Sequence, residues 1–173
     1  WAGRFIWSLD VIGHNHYHYL DGGLPAWLAD ARELSSDTPP THHTPVSLTL
    51  HDSPSASREY LLSRLGEADL AIWDARSAAE YHGDKVLAAK AGHIPGAVNF
   101  EWTLGMDTAR ALRIRTDMPQ ILHGLGISPD KEIITHCQTH HRSGFTYLVA
   151  KALGYPRVKA YAGSWGEWGN HPD

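Results

Sequence analysis

The sequence predicts an α/β fold with a mostly parallel sheet that is covered by helices on both faces. Short apolar segments at 70–73 and 133–136 have the length and composition of buried strands. They alternate with longer segments of helical pattern, several of which end at a glycine, such as Gly66 and Gly154. Strands that are separated by helices cannot pair as hairpins, so parallel pairing between two helical layers is favoured.

From residue 46 onward the predicted elements alternate in regular order. Ser55 is predicted to cap a first helix that runs to about residue 65 and is stopped by Gly66. Buried strands at 70–73 and 97–99 follow it. The later elements are predicted to be a helix at 117–125 ended by Gly126, the central strand at 133–136, a helix at 145–153 and a strand at 158–161.

The composition excludes several classes of function. The 173 residues carry a formal net charge of −4 with scattered signs, which argues against a nucleic-acid partner. No apolar run approaches the roughly 18 residues that would span a membrane, so no membrane partner is expected. The single cysteine excludes an internal disulfide and fits a reducing compartment, so we expect a cytoplasmic protein.

The 13 histidines raise the question of a metal site. His14, His16 and His18 alternate, which would place three imidazoles on one face of a strand. His42 and His43 form a second group. Neither group has a carboxylate or cysteine spaced to complete a site, so no metal is expected.

An internal repeat organises the chain. A shift of 141 positions superposes four pairs of identical residues, which are Gly3 and Gly144, Gly13 and Gly154, Gly22 and Gly163, and Trp27 and Trp168. Residues 1–33 are therefore predicted to be the last helix, strand and helix of an earlier copy of the unit at 46–173. The segment 34–45, rich in Pro, Ser and Thr, is predicted to be an extended linker between them.

Cys137 lies where the strand at 133–136 changes into a helix, at the end of the sheet where Asp74 and Arg76 also fall. The N–H groups of a helix's first turn lack partners, and with Arg142 they favour negative charge on the sulfur. The polar flanks of Cys137 argue against a buried structural thiol, so we expect a reactive thiolate. His136 could tune the thiol or fill space beside the sheet.

The spacing of the loop narrows its chemistry. Four residues separate Cys137 from Arg142, whereas cysteine phosphatases with a similar loop leave one more. The shorter loop has room for an extra sulfur atom on the thiolate and not for a phosphoryl group. Its donors would then surround a persulfide.

The loop Cys-Gln-Thr-His-His-Arg at 137–142 resembles that of bacterial tandem-domain rhodaneses, which are thiosulfate:cyanide sulfurtransferases. Three further segments resemble the same family in the same order, and together they cover residues 46–173. These segments are Trp-Asp-Ala-Arg-Ser at 73–77, Gly-His-Ile-Pro-Gly-Ala-Val-Asn at 92–99 and Gly-Ser-Trp-Gly-Glu-Trp at 163–168. The resemblance implies a rhodanese-like fold and a sulfurtransferase that needs no cofactor.

The resemblance also implies a set of site residues. Cys137 would take sulfane sulfur from a thiosulfate-like anion and pass it to cyanide or to a thiol. The remaining loop residues would bind the donor, with Arg142, His140 and His141 offsetting its charge beside Gln138 and Thr139. Arg76 would either pair with Asp74 or draw anions to the pocket, and Trp102 would wall the pocket or pack in the core. Arg110, Arg113 and Arg115 could steer a donor but better fit a solvated face.

Two positions depart from many thiosulfate-using relatives. Gln138 follows the cysteine where those relatives have a basic residue, and Glu80 or Tyr81 stands near the place of an arginine. Donor recognition is therefore expected to rest on Arg142, the loop histidines and backbone N–H groups, which leaves the physiological donor open. Two alternatives are a persulfide carrier or regulatory module that serves partner proteins, and a cysteine phosphatase or arsenate reductase. The second is disfavoured by the loop length and the missing general acid.

The repeat also bears on the first unit. The same shift places that unit's front, and its equivalent of Cys137, before Trp1. We therefore expect the chain to begin inside a domain, with the missing N-terminal part of the same protein as a partner. In tandem rhodaneses the first half usually lacks the cysteine, and the same is expected here.

Overall fold

The computed structural model describes residues 1–41 and 43–172. Its centre is a sheet of four parallel strands, which are β1 Leu70–Asp74, β2 Ala97–Asn99, β5 Glu132–His136 and β6 Val158–Ala160. Across the sheet their order is β2-β1-β5-β6. Asp74 lies opposite His136 in the β1–β5 pair, so both strands end at the same edge of the sheet.

Helices cover both faces of this sheet, as predicted. Trp73 and Ile133 pack on one face with Met118 and Val149, which come from two helices. On the other face, Ile134 packs in one buried cluster with Leu61 and Trp165. The helices of this part are α3 Arg58–Arg64, α4 Ala78–His82, α5 Met118–Gly124, α6 Arg142–Ala152 and α7 Ser164–Trp168. Adjacent residues of a strand alternate between the two cores because strand side chains point to opposite faces.

Between β2 and α5 the chain makes a 3-10 helix, Trp102–Gly105, and a small antiparallel pair, β3 Met106–Asp107 with β4 Arg113–Ile114. A second 3-10 turn, Thr108–Arg110, joins the two strands. No helix in the described part of the chain has both the length and the apolar character needed to cross a membrane.

The first helix cap differs from the prediction. Ser57 caps α3, since its side chain accepts the N–H of Tyr60 at 3.1 Å. Ser55 lies further upstream and forms an isolated parallel bridge with Ala160, at the end of β6. Both serines precede an apolar segment, and only the tertiary contact with β6 distinguishes them. The prediction of Ser55 as the cap was wrong for that reason.

The N-terminal part contains two helices, α1 Ala2–Val11 and α2 Gly23–Ala29. Shifted by 141 positions, they fall on α6 and α7. Gly13 and Gly154, which follow α1 and α6, both have left-handed backbones with φ of 74° and 79°. The strand predicted between α1 and α2 does not form, and residues 14–20 are irregular. A strand needs a neighbour for its backbone hydrogen bonds, and the described residues provide none there.

Helix α1 packs against α6 through the two equivalent glycines. A Cβ atom on Gly3 would lie 2.2 Å from the carbonyl oxygen of Gly144, and one on Gly144 would lie 2.6 Å from the backbone nitrogen of Arg4. Further along, Asp10 of α1 accepts a hydrogen bond from Tyr147 at 2.8 Å and forms an ion pair with Lys151. The N-terminal helix is thereby fixed along the helix that carries the active loop.

Candidate active site

The loop of residues 137–142 connects β5 to α6, and α7 holds it from the other side. The Cys137 carbonyl accepts the N–H of Trp165 and the Gln138 carbonyl accepts the N–H of Gly166, both at 2.9 Å. The Cys137 N–H donates to Ser164 Oγ at 3.3 Å. The motif at 163–168 that was recognised in the sequence therefore supports the loop through backbone bonds.

Cys137 is fully buried and is a free thiol. The backbone N–H groups of residues 138–141 have no protein acceptor within the described part of the chain. His140 adopts a left-handed backbone with φ of 60°, which curls the loop before α6 begins at Arg142. A curled loop with unsatisfied N–H donors is an anion-binding arrangement beside a sulfur nucleophile.

Arg142 makes a two-pronged ion pair with Glu80. Both terminal nitrogens of Arg142 donate to the Glu80 carboxylate at 2.7 Å. The hydrogen bonds from Arg142, opposed by burial and helped by Ser77, lower the pKa of Glu80 to about 2. Glu80 in turn raises the pKa of Arg142, and Cys137 makes a smaller contribution in the same direction.

The partnership of Glu80 with Arg142 was missed in the sequence. The sequence analysis noted Glu80 only because it stands near the place where many thiosulfate-using relatives have an arginine. The pattern Ser77-x-x-Glu80 is a capping box at the start of α4, and both of its hydrogen bonds form. That signal could have placed Glu80 at a helix start near the carboxyl end of β1, although not its contact with α6.

His140 does not carry the charge that was expected of it. Its side chain is fully buried, hydrogen-bonds with Ser143 Oγ at 2.8 Å and meets the ring of Trp7 edge-to-face at 4.7 Å. Burial, with smaller contributions from Arg4 and His141, lowers the pKa of His140 to about 3. A neutral, enclosed imidazole cannot offset the charge of an anionic donor, so the expectation was wrong.

The other three loop side chains are engaged with neighbouring segments. Gln138 Nε2 donates to the Leu87 carbonyl at 3.1 Å. Thr139 Oγ1 and His141 Nδ1 are 3.1 Å apart. His141 is exposed, and its ring meets Trp1 edge-to-face at 5.1 Å. These contacts hold the outside of the loop, and His141 is the loop histidine that remains accessible.

The N-terminal part touches the loop at several points that sequence reasoning did not predict. The Arg4 guanidinium donates to the Thr139 carbonyl at 2.9 Å. Trp7 covers His140, and the Trp7 indole N–H donates to the Pro54 carbonyl at 3.2 Å. The repeat predicted only that residues 1–33 resemble a later segment. It carried no information about which loop they contact.

Arg76 and Asp74 form a buried ion pair at the end of β1. Arg76 donates through two nitrogens to Asp74, and its Nη2 also donates to the Gly92 carbonyl at 2.9 Å. Its guanidinium carbon lies 4.5 Å from the ring centroid of Trp165. Of the two interpretations of Arg76, the structure supports pairing with Asp74. A guanidinium that is 1% exposed does not draw anions from solution, so that expectation was wrong.

His136 is also buried, with Nε2 3.6 Å from Asp74 Oδ2 and Nδ1 3.3 Å from the Cys137 carbonyl oxygen. Burial lowers the pKa of His136. Its contacts fix the strand end beneath the loop, which fits the space-filling interpretation.

Trp102 packs against α6. It opens the 3-10 helix, donates its backbone N–H to the Ala75 carbonyl at 3.2 Å and meets Phe145 edge-to-face at 6.3 Å. The packing interpretation is therefore supported. Two of the candidate steering residues are also occupied, since Arg113 pairs with Asp30 and Arg115 with Asp117.

Residues 1–41 and 43–172 contain no group of three or more His, Cys, Asp or Glu side chains that could hold a metal ion. His14 Nε2 instead forms a hydrogen bond with the His16 carbonyl at 3.1 Å. His42, one member of the second histidine group, lies outside the described residues.

The sequence is similar to several named bacterial proteins. It is 76% identical to the thiosulfate sulfurtransferase of Pseudomonas aeruginosa and 75% identical to that of Azotobacter vinelandii, over 173 residues in each case. A sulfur carrier protein of Thermus thermophilus is 32% identical over 183 residues. The matches cover 98–100% of this chain and 64% of each relative, so the chain spans about two thirds of their length.

The fold is similar to that of solved structures. The wild-type structure of EanB has a TM-score of 0.85 at 25% identity and covers 99% of this chain, which covers 43% of that protein. The anaerobic ergothioneine biosynthesis enzyme of Chlorobium limicola, in complex with trimethyl histidine, gives the same score and identity with 44% of its chain covered. The family model described as a rhodanese-like domain matches residues 57–171. The chain therefore belongs to the rhodanese-like domain family.

Proposed function

We propose that this chain carries the catalytic unit of a thiosulfate sulfurtransferase, in which Cys137 is the nucleophile that accepts and passes on the sulfur atom. The observation that carries the proposal is the position of the chain's single cysteine, beside a curled loop in which the N–H groups of residues 138–141 have no acceptor among the described residues. The names of the two most similar relatives reported above support the same activity. Because those relatives are longer, the donor, the acceptor and the activity of the whole protein are part of the proposal.

In the first step, the Cys137 thiolate attacks the outer sulfur of thiosulfate. A new S–S bond forms, the S–S bond of the donor breaks, and sulfite leaves with the electron pair. The negative charge then rests on the outer sulfur of a Cys137 persulfide. We propose that backbone N–H groups of residues 138–141 stabilise that charge and that no cofactor is needed.

In the second step, an acceptor nucleophile attacks the outer sulfur. Cyanide forms a C–S bond and leaves as thiocyanate, while the electron pair of the persulfide bond returns to Cys137 as a thiolate. A thiol acceptor would leave as a persulfide by the same displacement. The enzyme alternates between two covalent states, so double-displacement kinetics are expected.

Arg142 is the loop's permanent cation, and it lies near the sulfur while Glu80 holds it. We propose that Arg142 orients the donor and that Gln138, Thr139 and His141 shape the outside of the loop. His140 contributes a rigid, neutral wall rather than a charge. This assignment differs from the one made on the sequence because burial decides the protonation of His140.

Steady-state turnover tests the proposal directly. The chain, and separately a longer protein that includes it, should form thiocyanate from thiosulfate and cyanide, with parallel lines in double-reciprocal plots. No turnover by either protein, under conditions in which Cys137 can be alkylated, would contradict the proposal.

A persulfide carrier is the second candidate, because one relative is a sulfur carrier protein. A carrier would accept one sulfur per Cys137 and release it only to a partner protein, so it would show a single stoichiometric transfer without turnover. A phosphatase is disfavoured, since four residues between Cys137 and Arg142 leave no room for a phosphoryl group. Hydrolysis of an aryl phosphate by the native chain, lost in Cys137→Ser, would favour the phosphatase instead.

We also propose the domain organisation that the repeat predicts. Residues 46–173 form the catalytic unit, residues 34–45 link it to the N-terminal part, and residues 1–33 are the C-terminal portion of a first rhodanese-like unit. The equivalence of α1 with α6 and of α2 with α7 supports this assignment. The partners proposed are a small anionic sulfur donor and sulfur-donating or sulfur-accepting proteins. A catalytic thiol needs a reducing compartment, which favours the cytoplasm.

A further inference from the structure

The Glu80 carboxylate is held in place by four hydrogen bonds, two of which come from Arg142. It is 3% exposed, receives both terminal nitrogens of Arg142 and also accepts the Ser77 side-chain and backbone hydrogens at 2.8 and 3.2 Å. Four donors on one buried carboxylate fix its position and keep it ionised. The pair therefore joins a buried carboxylate to a partly buried guanidinium at the start of α6, and it is not a fully exposed surface ion pair.

Two guanidinium groups at this end of the sheet are each neutralised by a carboxylate. The positive charge of Arg142 is matched by Glu80, and the buried charge of Arg76 is matched by Asp74. Arg4 remains as a cation, but it lies on the outer side of the loop at the Thr139 carbonyl. An anion that reaches Cys137 consequently meets backbone dipoles and an ion pair, not a net positive charge.

We propose that Glu80 sets the charge selectivity of the sulfur pocket. By neutralising Arg142 it lowers the affinity for doubly charged sulfur donors relative to donors with one charge or none, while it keeps the guanidinium in place beside the sulfur. Low-charge sulfane donors are thus the substrate class that the pocket favours. This inference rests on the proposed function, but its first test does not require sulfur transfer.

The first test compares two alkylating agents that differ only in charge. Iodoacetate is an anion and iodoacetamide is neutral, and in both reactions the Cys137 thiolate forms a C–S bond as iodide leaves. The fraction of Cys137 present as thiolate cancels in the ratio of the two alkylation rates. The ratio therefore measures how much a negative charge on the reagent favours or disfavours its approach to Cys137. Cys137 is the only cysteine, which makes the reading unambiguous.

Glu80→Gln removes the charge and keeps a residue that can complete the capping box with Ser77. The ratio of iodoacetate to iodoacetamide rates should rise by about three- to tenfold at low ionic strength, and the increase should shrink with added salt. Glu67→Gln is the matched control, since it removes the same charge from an exposed position before β1, at the opposite end of the sheet. An equal ratio in wild type, Glu80→Gln and Glu67→Gln would overturn the proposal.

A second variant guards against misfolding. Glu80→Asp keeps the charge with a shorter reach, so its ratio should stay at the wild-type value even if its thermal stability falls. Should Glu80→Gln fail to fold, as judged by circular dichroism, the salt dependence of the wild type decides the matter. A nearly flat dependence is expected, and a steep fall of the ratio with salt would show an uncompensated cation and overturn the proposal.

The second test uses two sulfur donors with the same reacting S–S bond. Thiosulfate carries two charges and methanethiosulfonate carries one. Glu80→Gln should raise kcat/KM for thiosulfate more than for methanethiosulfonate, and equal changes would count against the proposal. If the wild type turned over neither donor, the proposed function would fail while the alkylation ratio still tested Glu80.

Discussion

From Cys137 to Arg142 the loop combines a buried thiol, N–H groups at 138–141 that have no acceptor among the described residues, and a guanidinium that is already bound to Glu80. The identities of these residues were visible in the sequence, but their charge states were not. His140 looked like a second cation because an exposed imidazole titrates near neutral pH. In the structure it is enclosed by Ser143 and Trp7, and burial keeps it neutral.

Removal of Arg142 should damage the use of anionic donors. Arg142→Ala deletes the cation beside the sulfur and leaves Glu80 as an uncompensated buried carboxylate. We expect kcat/KM with thiosulfate to fall by about 30- to 150-fold, which corresponds to about 2–3 kcal/mol. Arg115→Ala, which breaks only an exposed pair with Asp117, should have no effect.

The double variant Arg142→Ala with Glu80→Gln separates the two causes. It should recover part of the lost activity, because the repulsive carboxylate is gone. Unchanged thiosulfate kinetics in Arg142→Ala would mean that the donor binds elsewhere.

His140 should make the stability of the protein depend on pH. Its pKa is lowered to about 3 in the folded state, against 6.5 as the ordinary value. Below pH 6.5, His140 therefore binds a proton in the unfolded chain but not in the folded chain. The free energy of unfolding consequently decreases as pH falls from 6.5 towards 3. At pH 5 the loss relative to pH 8 should be about 2 kcal/mol.

Urea unfolding of the wild type and of His140→Gln at pH 8 and pH 5 would measure this. The variant should lose less stability on acidification, whereas the buried His136 contributes equally to both proteins. Identical pH dependence in the two proteins would show that His140 keeps its ordinary pKa in the folded state, so that its imidazole is protonated at pH 5. In that case its rejected role as a charge in the loop would have to be reconsidered.

At the scale of elements, the active loop depends on three helices. Helix α6 begins at Arg142 of the loop, and α7 donates backbone N–H groups to the loop carbonyls. Helix α1 lies along α6, and its Arg4 and Trp7 side chains contact the loop. The crossing of α1 and α6 at Gly3 and Gly144 brings the two backbones into contact, which side chains at these positions would prevent.

Gly3→Ala should separate α1 from α6. Its Cβ would meet backbone atoms of Gly144, which cannot move aside as a flexible side chain could. We expect a loss of stability of about 2 kcal/mol or more, with a lower rate of sulfur transfer because the loop contacts of Arg4 and Trp7 shift. Thermal unfolding and thiocyanate formation are the measurements.

Gly124→Ala is the matched control for this change. Gly124 is the last residue of α5 and a Cβ atom there would meet nothing within 4 Å. Alanine should be neutral or stabilise by about 0.5–1 kcal/mol at such a helical position. If Gly3→Ala matched Gly124→Ala in thermal stability and in the rate of thiocyanate formation, the close packing of α1 on α6 would not be required to position the loop.

At the scale of the whole molecule, the fold followed from the sequence better than the site did. Periodicity and helix-ending glycines predicted the parallel sheet and its helices, because they depend on local patterns. The strand predicted between α1 and α2 was wrong, since pairing needs a neighbour that local pattern does not reveal. Glu80 with Arg142, and Arg4 with Thr139, join residues far apart in the chain. Only the packed structure could bring them together.

The central claim is that Cys137 carries the transferred sulfur, and the mass of the intact protein tests it most directly. After incubation with thiosulfate, the wild type should gain the mass of one sulfur atom on the peptide that contains Cys137. Cyanide should then remove that mass and release one equivalent of thiocyanate. Cys137→Ser, whose hydroxyl cannot hold a stable sulfane sulfur, should gain nothing and transfer sulfur at less than about a hundredth of the wild-type rate. Sulfur transfer that persists in Cys137→Ser, or a wild type whose mass is unchanged by thiosulfate, would contradict the account.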